Sequence, residues 1–228
     1  MNTIADNLCR VRATIKTACE HAGRNPDEVR LIAVSKTMDV ETVRQAFDAG
    51  QCLFGENREQ ELTAKAEALP AEARWHFIGH LQRNKVRPVL ARAHCIHSVD
   101  RAALLQRIDR VAGEMELRVP ILVQVNVSGE NSKFGIPPEQ AEALVEKAVA
   151  LSNVRCDGLM TLAPFGSASA ELHRVFAALR ELRDRLETGL GTSLPELSMG
   201  MSADYTEAIA EGATLVRIGS AVFGRREP

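Results

Sequence analysis

From Ile4 to Ala22 the apolar positions recur at spacings of four, three, four, three and four: Ile4, Leu8, Val11, Ile15, Ala18 and Ala22. That spacing predicts one buried face of a helix. Beyond it the pattern changes to short β-rich runs. They are RLIAVS (30–35), CLFG (52–55), WHFIG (75–79), CIHSV (95–99), VPILVQVNV (119–127), VRCDGLM (154–160), PELSM (195–199) and TLVRIG (214–219). Between them lie helical patterns near 39–49, 57–68, 84–92, 100–115, 138–151, 169–188 and 203–211. Asp39, Asp100 and Ser202 stand where N-caps belong, and Pro137-Pro138 suits a first helical turn. Gly50 and Gly212 stand where helices should stop.

Eight strands alternating with helices over 228 residues predict an α/β protein, a single (β/α)8 TIM barrel with an extra N-terminal helix. One domain is expected to span 1–228, with no linker or low-complexity tract. A doubly wound open sheet is the alternative, because alternation alone does not close a barrel. Several of the runs are apolar throughout, as strands buried on both faces should be.

Composition narrows the function. Formal net charge is −2, which argues against a general nucleic-acid or membrane-surface binder. The basic run RNKVRPVLAR (83–92) has no interleaved aromatic residue and reads as a solvated helix. Cys9, Cys19, Cys52, Cys95 and Cys156 are scattered, with no CxxC, so they read as reduced thiols of a cytoplasmic protein. The N-terminus has no apolar signal core, and no apolar run approaches membrane-spanning length.

A barrel carries its chemistry at the C-terminal ends of its strands. There the sequence offers Lys36 after strand 1, Asn57 after strand 2, and His80, Asn84 and Lys85 after strand 3. Strands 7 and 8 end in SMGMS and RIGSAVFG, where Ser202, Gly219 and Ser220 let backbone amides approach an anion. A tight turn explains one such loop equally well; two at these positions point to phosphate. Arg217 ends strand 8, which in a closed barrel neighbours strand 1, so Lys36 and Arg217 would flank one site. Two neighbouring cations favour the neutral, nucleophilic lysine. A reactive lysine beside a phosphate cradle suggests pyridoxal 5′-phosphate. From position alone, a strand-end ion pair explains Arg217 as well.

The other lysines compete poorly. Lys16, Lys65 and Lys147 lie in helical segments and are expected to be solvated. Lys133, after strand 5, is the one rival, either binding an anion or, preferably, an ordinary loop lysine. His76 and His80 have a helical metal spacing but straddle a strand end, roughly 13 Å apart. Cys95 and His97 alternate on a strand and read as packing. No metal set is expected.

LIAVSKT, FGENREQE, WHFIGHLQRNK, VNVSGENSKFGI, GLMTLAP, LSMGMSADYTEAI and VRIGSAVFG, in this order along nearly the whole chain, resemble the pyridoxal phosphate homeostasis protein family. The resemblance implies a single barrel like that of alanine racemase. It implies pyridoxal phosphate held as a Schiff base on Lys36, with Arg217 facing the pyridine nitrogen. The phosphate would be held by Ser202, Gly219 and Ser220, with Met201 alongside and Asn57 and His80 near the pocket. It also implies a protein that binds the cofactor and hands it over, to pyridoxal phosphate-dependent apoenzymes, with no catalytic residue assigned. Alanine racemase adds a second, β-rich domain that supplies a catalytic tyrosine. Here the chain stops at Pro228, and its one tyrosine, Tyr205, follows strand 7 and reads as structural. Without that domain a monomer is expected. The alternatives are a weak racemase using Lys36 as its single base, and a barrel enzyme in which Lys36 attacks a phosphorylated sugar.

Overall fold

Ala33 of β1 (Arg30–Val34) pairs with Phe54 of β2 (Leu53–Glu56) on one side, and Ile32 pairs with Arg217 of β8 (Leu215–Ile218) on the other. The second pairing joins the last strand to the first. It turns the alternation into a closed parallel barrel and excludes the open, doubly wound sheet. The structure is a computed structural model that describes residues 3–130 and 133–224. Asn131 and Ser132 of the VNVSGENSKFGI segment lie outside the described residues, as does Pro228, where the chain was expected to stop.

The remaining strands follow in chain order: β3 (Arg74–Phe77), β4 (Cys95–Val99), β5 (Val119–Gln124), β6 (Val154–Met160) and β7 (Glu196–Met201). The helices are α1 (Ile4–His21), α2 (Val40–Asp48), α3 (Glu59–Ala68), α4 (Val86–Leu90), α5 (Ala102–Glu114), α6 (Ala141–Val149), α7 (Ser169–Leu190), α8 (Tyr205–Ala210) and α9 (Ser220–Phe223). Most fall within two or three residues of the expected bounds. The four-residue α9 lies beyond the last helical pattern of the sequence and is too brief to show a helical period.

Burial explains the pattern. Outward strand residues such as Phe54 and Trp75, stacked at 5.1 Å, meet helix residues such as Leu62, Leu104, Ile108 and Phe176 in the main core. Inward residues Ile32, Cys95, Leu122, Met160 and Leu215 fill a second, smaller core inside the barrel. A strand with both faces buried has no polar face to alternate, hence the apolar runs. Helix α1 buries Leu8, Val11, Ile15 and Cys19 outside the barrel wall, and its Asn7 Nδ2 donates to Val222 O at 2.9 Å.

Two caps differ from expectation. Asp39 does cap α2, accepting from Thr42 N at 2.7 Å. Asp100 instead pairs with Arg101 and faces His80, and α5 starts after Arg101. Ser202 likewise does not cap α8; Asp204 stands at that position. In both cases a charged or loop partner outcompetes the local amide. The third correction is Lys65. It is not solvated but 3 % exposed, because α3 turns it inward toward a buried carboxylate. Three cations of the basic run 83–92 enter ion pairs: Lys85 with Glu59, Arg87 with Glu114 and Arg92 with Glu67. Among the described residues no helix is long and apolar enough to cross a membrane.

Candidate functional site

Lys36 leaves the barrel one residue beyond Ser35, on the C-terminal mouth, half-buried. Its neighbours are held firmly. Ser35 Oγ donates to Glu56 Oε1 at 2.7 Å, and Lys65 Nζ donates to Glu56 Oε1 at 2.6 Å and to Ser35 O at 2.7 Å. Lys65 also reaches Glu61 Oε2 at 3.2 Å, and the same oxygen accepts from Thr37 N at 2.6 Å. Thr37 has φ 65°, a left-handed conformation costly for a β-branched residue. One buried network therefore clamps the residues before and after Lys36 and fixes where its amine leaves the backbone. Burial holds the Glu56 carboxyl above its usual range, against the hydrogen bonds from Lys65 and Ser35 that favour its charge.

Arg217 lies inside the barrel, 3 % exposed. Its Nη2 donates to Thr161 O at 2.8 Å and its Nη1 to Ser198 Oγ. Burial pushes the guanidinium down to about 10, opposed by the nearby Asp204 carboxylate. It stays protonated at neutral pH. Below it a hydrogen-bonded chain continues: Ser198 Oγ to His97 Nδ1 at 2.9 Å, then His97 Nε2 to His76 Nδ1 at 2.8 Å. Burial depresses both imidazoles, His76 to about 3 and His97 well below its usual value, so both are neutral.

The loops after β7 and β8 meet at Ser202. Gly219 N donates to Ser202 Oγ at 3.2 Å, and Ala221 N does so at 3.4 Å. Gly219 lies beside the end of β1, where a Cβ would stand in ordinary contact with Val34, 3.4 Å from its carbonyl oxygen. Ser220 begins α9 and is exposed, so amides and hydroxyls gather at one short helix start beside the end of β1. Met201 ends β7 at the rim, half-buried, its amide donating to Asp204 Oδ1 at 2.5 Å.

Asn57 and His80 share a shallow recess of about 310 Å³ on the other side of the mouth, with Phe77 and Lys85. His80 stacks on Phe134 at 4.2 Å and lies 3.6 Å from Asp100, so its ring is already engaged. Lys133 is tied down locally, within its own loop and to the segment after β6. Its Nζ donates to Glu130 Oε1 at 3.2 Å and to Leu162 O at 3.4 Å.

The structure thus gathers Arg217, Ser202, Gly219 and Ser220 on the β7–β8 side, next to the strand that carries Lys36. It sets Asn57 and His80 apart, beside β2 and β3. Glu56, Thr161, Ser198 and Asp204 escaped the sequence reading, and Lys65 was expected to be solvated. Glu56 and Ser198 sit inside the quoted FGENREQE and LSMGMS segments, so their positions were visible; the partners that give them meaning were not.

A family model for the alanine racemase N-terminal domain matches residues 7–227. A pyridoxal phosphate homeostasis protein of Pseudomonas aeruginosa is 48 % identical over all of this chain and 97 % of its own length. One of Aquifex aeolicus is 43 % identical over 97 % of this chain and 98 % of its own. Among solved structures, PipY of Synechococcus elongatus with pyridoxal phosphate bound superposes with a TM-score of 0.85 at 37 % identity, covering 97 % of this chain and 100 % of that one. The chain therefore belongs to the pyridoxal phosphate homeostasis protein family, built on the barrel of the alanine racemase N-terminal domain.

Proposed function

We propose that this chain binds pyridoxal 5′-phosphate at the C-terminal mouth of its barrel and keeps the cofactor available, holding and releasing it rather than turning over a substrate. The observation that carries this reading is the gathering of a buried arginine, a two-amide cradle on Ser202 and the clamped Lys36 on adjoining strand ends. Relatives at 43–48 % identity are named for that cofactor's homeostasis, and PipY holds it.

The residues fit the group. Lys36 supplies the amine that anchors its aldehyde covalently. Ser202, Gly219 and Ser220 hold its phosphate, with Met201 alongside. Asn57 and His80 stand across the mouth from this cradle, at the rim of the proposed pocket. The bound cofactor supplies an electron-withdrawing ring. Arg217 limits that chemistry: a protonated guanidinium donates to a ring nitrogen and cannot accept from it, so the nitrogen stays unprotonated and the ring is a weak electron sink. A weak sink favours holding the cofactor over turnover. On the same reading the partners are pyridoxal phosphate and the apoenzymes that need it, not nucleic acid or membrane, and the protein works in the cytoplasm as a monomer.

The test is the visible spectrum of the purified protein with added pyridoxal phosphate, before and after borohydride, beside Lys36→Ala. A band that borohydride bleaches, with the pyridoxyl label on the Lys36 peptide and none in the variant, is the expected result. No band, or a label on Lys133, overturns the placement. Incubation with L- and D-alanine checks the second half: racemisation at a useful rate, lost in Lys36→Ala, would make the protein an enzyme.

A further inference from the structure

The foot of the barrel, opposite Lys36, holds chemistry that cofactor binding does not use. Cys95 and His97 alternate on β4, so both side chains enter the barrel interior. Parallel pairing sets His76 of β3 across from Cys95. One donor atom from each lies within 4.8 Å of the other two, and all three residues are buried. A cavity of about 640 Å³ opens at this end, and His76 and Cys95 line its inner wall. Cys95 and His97 alone read as packing in the sequence; His76, brought in by the neighbouring strand, makes them a set of three.

We propose that His76, Cys95 and His97 form a binding site for a soft, thiophilic, monovalent metal ion of the copper(I) class.

Three features select that class. Two imidazoles and a sulfur form a soft, three-coordinate donor set with no carboxylate, which disfavours magnesium or calcium. Only Cys95 can become an anion. One thiolate with a monovalent ion makes a neutral buried unit, whereas a divalent ion leaves an uncompensated positive charge among three buried ligands, since the nearest carboxylates, Glu196 and Asp157, are already paired with Arg30 and Arg155. The cavity gives the ion a way in and gives the displaced proton a way out. On binding, the Cys95 S–H bond breaks, a sulfur–metal bond forms and the proton passes to water. The metal keeps its oxidation state.

The His97 imidazole is supported from behind. His76 Nδ1 and His97 Nε2 now share a hydrogen bond at 2.8 Å. An ion bonded at about 2 Å to each would replace that proton and part them by under an ångström or so. His97 Nδ1 then carries the N–H and donates to Ser198 Oγ, 2.9 Å away. A fixed outer hydrogen bond of this kind orients metal-binding histidines generally.

The experiment titrates the full-length chain, with exposed Cys9 and Cys52 replaced by serine, with copper(I) under anaerobic conditions against bathocuproine disulfonate. X-ray absorption then reports the ligands. We expect one copper(I) per chain, one sulfur and two nitrogen neighbours, and at least about tenfold weaker retention when Cys95→Ser is added. No retained copper, coordination by sulfur alone, or equal retention by the Cys95→Ser protein each overturns the proposal. Should that variant fail to fold, as circular dichroism would show, the ligand set of the parent chain decides by itself. None of these readouts involves pyridoxal phosphate, so the result stands apart from the proposed function.

Discussion

Lys65 is one of six lysines and the one most completely withdrawn from water, and its burial has a cause in Glu56, which is 0 % exposed. Neither partner would be tolerated there alone. Removing one member of such a pair leaves an uncompensated buried group, which costs about 3–5 kcal/mol. Lys65→Met should therefore lower the urea midpoint by an amount matching that loss. Lys65→Met with Glu56→Gln should recover part of it, since a neutral amide costs less to bury than a carboxylate. The single variant should also weaken pyridoxal phosphate binding, because the network it breaks is what clamps Ser35 and Thr37 around Lys36. A spectrum of the folded variant at graded cofactor concentrations reads that directly.

At the level of elements, α8 and α9 matter most to the mouth, because the loop into α8 and the start of α9 form the Ser202 cradle. Helix α8 approaches β7 so closely that only glycine fits at position 200: φ is 89°, and a Cβ would lie 2.6 Å from Ala208 Cβ and 2.9 Å from Tyr205 Cα. Gly200→Ala should push α8 outward, at a cost of about 1–3 kcal/mol from overpacking and more from the left-handed backbone. Cofactor affinity should fall with it, as the amides of Gly219 and Ala221 lose their common partner. Helix α9 is tied from the other side by Asn7 Nδ2, donating to Val222 O. Asn7→Ala should cost about 1 kcal/mol by urea denaturation. Its larger effect should be faster amide exchange in α9, since four residues cannot hold a helix by themselves. Unchanged exchange there would show that α1 is not what anchors this end.

For the whole molecule, the barrel interior sets the response to acid. His76 and His97 are neutral in the fold, with His76 held at about 3 and His97 well below the usual value of 6.5. In the unfolded chain both take up protons near 6.5. Below that pH the unfolded state binds more protons than the native state, so stability rises with pH. The stability is complete above about 6.5 and is lost as the pH falls from there toward 3, at about 1.4 kcal/mol per pH unit for each imidazole. Urea midpoints measured from pH 7.5 to pH 5 should fall steeply, and His97→Gln should flatten the slope. A flat profile in the parent chain would mean that the two rings are not neutral.

The amino-acid sequence determined by itself where the elements lie. Apolar residues at helical spacing, and runs with no polar face, follow from which surfaces must leave water, and each is local enough to read along the chain. The candidate mouth was legible for the same reason: in a parallel barrel every strand ends on one face, so Lys36, Arg217, Ser202, Gly219 and Ser220 needed only the strand order to be placed together. The tertiary structure alone decided what depends on register between distant segments. Closure of β8 on β1 rather than an open edge is a pairing no single segment encodes. Lys65 reads as a solvated helix residue until α3 is rolled against β2, and Ser202 reads as a helix cap until α9 brings it two amides. Cys95 and His97 remain packing residues until β3 sets His76 beside them. Polar contacts are short-ranged and directional, so a partner's identity emerges only when the chain has brought two remote positions within about 3 Å.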